Sequence, residues 1–246
     1  ASSYLLQGLN VLYITLEMAE ERIAERIDAN LLDVTMEDLH DMPQQLYEGK
    51  ISKLREKTQG QLVIKEYPTA SAHSGHFKSL MNELALKKSF RPDVIFIDYL
   101  NICASSRFKG GNISSYFYVK AIAEELRGLA VEFNVPIFSA TQTTRTGYVS
   151  TDIGLEDTSE SFGLPATADF MFALISNEEL EALGQMKVKQ LKNRYNDPSI
   201  NRAFIIGVDR AKMRLYDVQQ KAGDIVDANQ VDEKEDAYNK FSDFKL

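Results

Sequence analysis

The stretch Arg91-Pro-Asp-Val-Ile-Phe-Ile-Asp98 constrains this chain most. Val94 to Ile97 is an unbroken apolar run, too short for a typical helix, entered from Pro92 and closed by the carboxylate of Asp98. An apolar run without alternation fits a strand covered on both faces, as in the middle of a parallel sheet. In open α/β sheets ligands sit beyond the carboxyl ends of the strands. A carboxylate placed there can orient a water on Mg²⁺ beside nucleotide phosphates. The plainer alternative is a strand-end aspartate that caps a turn.

A second run of the same kind, Val11-Leu-Tyr-Ile-Thr-Leu16, also ends in a carboxylate, Glu17. Ala1 to Gln7 reads as the end of a helix, with Gly8 as its cap. Met18 to Leu32 carries Ile23, Ile27 and Leu31 at helical spacing. Thr35 and Asp38 signal a short capped helix, and Pro43 to Lys57 a surface helix. Gln61 to Tyr67 reads as a strand and His76 to Lys88 as an amphipathic helix. Past Asp98 comes a polar loop, Ser105 to Ser115, then a long helix over Ser115 to Phe133. Val135 to Ala140 reads as a further buried strand leading to Gln142. Thr167 to Ile175 is expected to return to the sheet. Lys187 to Lys192 reads as a strand, with a turn after it. Phe204 to Val208 and Met213 to Val218 form a terminal hairpin.

Strands alternating with helices predict an α/β fold with a mainly parallel sheet flanked by helices. Right-handed crossovers would then bring Glu17, Asp98 and Gln142 to one edge. There, one carboxylate can hold a metal, the other can activate water, and a neutral amide can sense a γ-phosphate without repelling it.

Composition narrows the classes. The 246 residues are 44% hydrophobic and 26% charged, ordinary for a globular chain. No apolar run approaches the roughly 18 residues that span a bilayer, and no secretory signal is visible. The single Cys103 suits a reducing cytoplasm and excludes an intramolecular disulfide. His73 and His76 lie in a Ser/Ala/Gly-rich stretch with no cysteine nearby, so they read as loop residues, not zinc ligands. A net charge of −8 argues against coating nucleic acid with a broad basic surface, while leaving room for local basic loops. The sequence reads as a domain over 1–218 and an acidic tail over 219–246 that is expected to be flexible, with Phe241 and Phe244 its main apolar content.

An ATPase of this kind uses G-x-x-x-x-G-K-[ST] before a helix. The sole Gly-Lys pair, Gly49-Lys50, is followed by Ile51 and lacks the first glycine, so no phosphate-binding loop is found. The expectation is that this loop lies upstream of Ala1.

Taken together, Val11-Leu-Tyr-Ile-Thr-Leu-Glu-Met18 and Val94 to Tyr99 resemble the catalytic-glutamate strand and the Walker B strand of DnaB-type hexameric replicative helicases. Ile27-Asp-Ala-Asn30, Val119 to Arg127 and Gly163 to Met171 are similar to the bacteriophage branch of that family. The resemblance implies a RecA-like ATPase that forms a six-subunit ring on single-stranded DNA and moves 5′ to 3′. It uses ATP and Mg²⁺, in the bacterial host cytoplasm, with a primase and a helicase loader as possible partners. It implies that Glu17 activates water, Asp98 binds Mg²⁺ and Gln142 senses the γ-phosphate, while Lys192 and Arg194 reach the neighbouring subunit's ATP. Arg107, Lys109 and Arg145 would face DNA, as would the segment Glu160 to Gly163. Where bacterial relatives have a basic residue before that glutamate, this chain has Ser159. Two other readings stay open at this stage: a RecA-like recombinase or other ring ATPase, and a non-catalytic fragment that binds intact helicase subunits.

Overall fold

The computed structural model describes residues 1–108, 113–143, 154–155, 163–197, 200 and 202–218. The 219–246 tail, Lys109, Arg145 and Glu160 lie outside them. The first half is a four-stranded parallel sheet of order β2-β1-β3-β4. Its strands are β1 (Val11–Thr15), β2 (Leu62–Glu66), β3 (Val94–Asp98) and β4 (Ile137–Ser139). Both central runs are covered on both faces, which is why they show no alternation. Leu12, Ile14, Ile95 and Ile97 point into a core completed by α5 (Ser74–Lys88) and α6 (Ser115–Phe133), through Phe77, Met81, Val119, Ile122 and Leu126. Val11 and Val94 point the other way, onto Leu5 of α1 (Ser2–Leu6) and Ile23 and Ile27 of α2 (Glu20–Leu32). Each such side chain, fully buried, contributes about 1.5–3 kcal/mol.

Local chemistry sets the ends of these elements. α1 stops at Gly8, whose φ of +83° suits glycine. The Gly8 N–H donates to the Leu5 carbonyl and the Leu9 N–H to the Tyr4 carbonyl, a Schellman closure. Asp33, Ser89 and Asn134 end α2, α5 and α6 in the left-handed conformation. Thr35 Oγ1 accepts from the Asp38 N–H and starts α3 (Met36–His40), and α4 follows over Gln44–Lys57. His73 and His76 form a reciprocal capping box on α5, so α5 starts at Ser74, two residues before the sequence-predicted start. The pair has a structural role there.

Two expectations need correction. β4 reads as a buried strand in sequence but, among the described residues, is a three-residue edge strand paired with β3 alone, with Phe138 exposed. Val135 is buried just ahead of it. The segment expected to return to the parallel sheet does not pair with it among the described residues. It is instead β5 (Phe170–Ile175), which runs antiparallel to β6 (Gln185–Asn193) in a second sheet. The expected hairpin, β7 (Ala203–Asp209) and β8 (Arg214–Asp217), completes the order β5-β6-β7-β8. Two short helices precede and follow β5, α7 (Gly163–Thr167) and α8 (Glu178–Ala182). Apolar runs report burial, but not which sheet supplies the partner. The second sheet buries Ala173 and Ile175 on one face, with Leu191 packed against them. Its other face, with Phe170, Phe172, Leu174 and Phe204, lines a groove of about 850 Å³. The β7–β8 turn is tied to α2 and α3: Lys212 and Arg214 pair with Asp33, and the Met36 N–H donates to the Ala211 carbonyl. Among the described residues no helix is long and apolar enough to cross a membrane.

Two glycines test this packing in opposite directions. A Cβ on Gly60 would sit 2.4 Å from the Leu9 carbonyl oxygen, where α1 meets the start of β2. Gly60→Ala should therefore destabilise the fold by about 1–3 kcal/mol. Gly49, inside α4, has nothing within 4 Å of such a Cβ, and Gly49→Ala should stabilise by roughly 0.5–1 kcal/mol. Urea unfolding followed by circular dichroism reads both; equal midpoints would contradict the close approach at Gly60.

Candidate functional site at the carboxyl edge of the parallel sheet

Parallel pairing aligns the strand tips. Thr15 sits in register with Asp98 on one side and Glu66 on the other. The Leu16 N–H donates to the Asp98 carbonyl at 2.9 Å. The chain then turns on the buried Thr15 side chain: its hydroxyl donates to the Met18 carbonyl (2.8 Å) and accepts from the Met18 N–H (3.0 Å). That turn sets Glu17 exposed at the tip, beside the end of β3. Asp98 is half-buried, and its Oδ2 accepts from the Tyr13 hydroxyl at 2.9 Å. Burial, reinforced by the Asp98 charge and this hydrogen bond, pushes the Tyr13 phenol up. Gln142, past β4, donates from Nε2 to the Tyr99 hydroxyl at 3.1 Å. Glu17, Asp98 and Gln142 therefore converge on one edge, as the crossover argument expects.

These residues suit a hard divalent cation. Mg²⁺ takes few protein ligands, chiefly one or two carboxylates with substrate phosphates and water. Asp98, at the mouth of the sheet, supplies such a carboxylate. The described residues contain no cluster of three or more His, Cys, Asp or Glu of metal-binding arrangement.

The polar segment beyond β3 is fastened by a residue that motif reasoning did not single out. Glu125, on α6, accepts from Ser105 Oγ (2.6 Å), Ser106 Oγ (2.7 Å), the Ser106 N–H (3.0 Å) and Ser74 Oγ (2.9 Å). Burial opposes its charge, but these donors outweigh burial and hold its carboxyl below the usual range. Arg107 pairs with the adjacent Glu124 at 2.5 Å. Glu-Glu on a helix reads as a solvated face in sequence; only the folded loop shows the partners. Gly163 begins α7 against the Lys120 stem of α6, where a Cβ would come within 2.7 Å of side-chain carbons.

Lys192 and Arg194 lie at the end of β6, in the second sheet. Lys192 Nζ donates to the Pro165 and Ala166 carbonyls at 2.5 and 3.2 Å. Arg194 Nη2 donates to the Ala166 carbonyl at 2.9 Å. Both cations thus rest on the last carbonyls of α7. Asp169 Oδ1 pairs with Arg194 Nη1 at 3.1 Å and with Arg127 Nη2 of α6 at 3.0 Å. Partial burial, then the charge of Arg194, lowers the Lys192 pKa.

A parallel sheet with two carboxylates and an amide at its carboxyl edge is the layout of a nucleotide-hydrolysing α/β domain. The sequence profile of the DnaB-like helicase C terminal domain matches residues 1–214, and the chain belongs to that family. It is 44% identical over 248 residues to the DnaB-like replicative helicase of Enterobacteria phage T4, covering 98% of this chain and 52% of that protein. It is 35% identical over 144 residues to a probable plasmid replicative DNA helicase of Chlamydia trachomatis, covering 56% of this chain and 30% of that protein. The chain therefore spans about half the length of the phage relative, and less of the chlamydial one. Two solved structures share the fold at 16% identity. One is a DnaB-like replicative helicase studied with its primase interactions (TM-score 0.70, 89% of this chain, 53% of that one). The other is an ATPase domain (TM-score 0.71, 89% of this chain, 78% of that one). The expected DnaB-type family and RecA-like ATPase fold are both found.

The Glu125 network has a pH signature. A carboxyl depressed in the folded state stabilises fully above its ordinary value of 4.5, and that contribution is lost as pH falls through the lower folded-state value. Glu125→Gln should destabilise by about 1–2 kcal/mol at pH 7 and lose less stability than the parent between about pH 5 and 3. Urea midpoints across that range check it; parallel pH profiles for parent and variant would contradict the network.

Proposed function

We propose that this chain forms the ATPase core of a ring-shaped replicative DNA helicase that couples ATP hydrolysis between subunits to 5′–3′ movement on single-stranded DNA and duplex unwinding. The observation that carries the reading is the register of Thr15 with Asp98, which sets Glu17 and Asp98 on neighbouring strand tips, in a chain of the DnaB-like family. Glu17, exposed and anionic, is suited to accept a proton from the attacking water and orient it. Asp98 would hold Mg²⁺, which offsets phosphate charge when bound. Gln142 would contact the γ-phosphate through its amide. Lys192 and Arg194 would meet the phosphates of the neighbouring subunit, where a guanidinium presents paired donors to oxygens gaining charge.

Arg107, Lys109 and Arg145, with the segment Glu160 to Gly163, would follow the DNA strand. Single-stranded tracks are built from loop cations and backbone donors. Arg107 would then exchange its Glu124 partner for a DNA phosphate. A helicase studied with primase is among the structural neighbours, which supports a primase as a partner; a loader follows from the replicative role. The sequence contains no G-x-x-x-x-G-K-[ST], so its residues take the water, metal, sensor and trans sides of the site, not the phosphate cradle.

The first expected outcome follows from that division. The 246 residues alone should bind an ATP analogue with Mg²⁺ more weakly than about 10 μM, roughly −7 kcal/mol; calorimetry showing tighter binding would overturn it. The second concerns the same residues joined to a family phosphate-loop segment. Glu17→Gln should lower DNA-stimulated turnover roughly 10²–10⁴-fold, with ATP affinity changed only a few-fold. Arg194→Ala should lower turnover about 10³–10⁵-fold. Mixed rings of the two variants should regain activity, because some interfaces then pair an intact Glu17 with an intact Arg194. Mixed rings as inactive as either parent, with co-assembly shown by mass, would remove the trans role.

A further inference from the structure

We propose that Asp169 is the positioning residue for Arg194, with its carboxylate shared between Arg194 and Arg127 of α6. The inference rests on the reading of Arg194 as a trans-acting cation. A flexible arginine beyond a strand end has many rotamers, and a group that acts on a neighbouring subunit must be presented in one of them.

Three contacts restrict it here. The Arg194 N–H donates to the Asp169 carbonyl at 2.9 Å, which fixes the backbone beside Asp169. Asp169 Oδ1 takes Arg194 Nη1 at 3.1 Å, and the Ala166 carbonyl takes Nη2 at 2.9 Å. The guanidinium is thus held by two acceptors on its two terminal nitrogens. Asp169 is in turn oriented by Arg127 Nη2 at 3.0 Å. Strand pairing builds the arrangement: Phe170 lies in register with Asn193, so the residues just beyond each, Asp169 and Arg194, meet across the β5–β6 end.

The charges are unequal, and this gives the clamp its use. Arg127 and Arg194 share one carboxylate, and Lys192, whose pKa is lowered by burial and then by the Arg194 charge, adds a third cation on the neighbouring α7 carbonyls. The cluster keeps a positive surplus that an incoming phosphate would meet. All three side chains of the Arg127–Asp169–Arg194 chain are more than a third exposed, at 39%, 36% and 39%. The bonds hold the guanidinium in place without sealing it from a second anion. Asp169 therefore acts on Arg194, not on ATP.

The test uses the protein joined to a phosphate-loop segment, assembled on single-stranded DNA, together with the 246-residue chain itself. Asp169→Asn should lower kcat roughly 10–100-fold and leave the KM for ATP within about two-fold. Asp169→Glu, which keeps the charge, should recover most of the loss, and it carries the test should Asp169→Asn fail to fold. Complementation gives the sharper readout. Asp169→Asn mixed with Glu17→Gln should regain activity, whereas Asp169→Asn mixed with Arg194→Ala should not exceed the Asp169→Asn ring, because both defects fall on the same side of the interface. In the 246-residue chain, the Arg194 Nε–H signal should exchange faster with solvent in Asp169→Asn than in the parent. Inactive Arg194→Ala rings beside fully active Asp169→Asn rings would overturn this inference alone, as would unchanged Arg194 exchange. Active Arg194→Ala rings would overturn the trans reading first, and this inference with it.

Discussion

The pairing of β1 with β3 is the constraint on which the rest depends. Thr15 opposite Asp98, with the Leu16 N–H on the Asp98 carbonyl, fixes at once where two buried strands end and where two carboxylates emerge. A slip of one residue would exchange the two faces of a strand. Leu12 and Ile14 would then face α1 and α2 instead of α5 and α6, and the strand tips would no longer align. The cost of misplacing several fully buried side chains, each worth about 1.5–3 kcal/mol, therefore protects the geometry of the polar edge. Packing in the core and chemistry at the rim are set by one register.

Helix α6 carries that order outward. Its inner face, through Val119, Ile122, Leu126 and Leu129, seals the parallel sheet. Its outer residues meet both polar regions: Glu124 and Glu125 hold the segment beyond β3 through Arg107, Ser105 and Ser106, and Arg127 holds Asp169 at the end of the second sheet. Glu125 and Arg127 are two residues apart, so a rigid rod links the segment read as facing DNA to the arginine read as facing a neighbour's ATP. A displacement of α6 relative to β3 would be felt at both. The Asp33 cluster with Lys212 and Arg214 also ties the second sheet to α2.

The polar clusters follow a common pattern. Carboxylates on helices gather donors from loops and helix starts, as Glu125 does with Ser105, Ser106 and Ser74, and cations at β6 rest on the open carbonyls ending α7. Helix ends leave such carbonyls without intrahelical partners, and cations complement the negative end of the helix. These contacts are partly exposed, so each is weak alone. Their work is to choose one rotamer for long side chains that otherwise have many, which matters most where a residue must meet a partner.

Much of the molecule was legible in the sequence because its signals are local. Unbroken apolar runs marked β1 and β3, carboxylates at their ends marked the edge, and periodicity gave α6 its limits over Ser115–Phe133. Gly8 and Thr35 announced their caps through backbone geometry that neighbours in sequence decide. Nonlocal partners were not legible. The run at 135–140 carries no sign that β4 stands at the edge of the sheet formed by the described residues, since an edge is set by what other segments do. The run at 170–175 does not say which sheet receives it, and β6 decided that through its antiparallel register. Glu125 reads as one of two surface carboxylates until the loop beyond β3 folds back upon it, and nothing near Asp169 in sequence points to Arg194, which β6 brings across. Burial of the two central runs and the carboxylates at their tips follow from the chain alone, because hydrophobic burial and strand polarity act residue by residue. The tertiary structure alone decided which charges meet, because ion pairs form between groups far apart in the chain that only packing brings within about 3 Å.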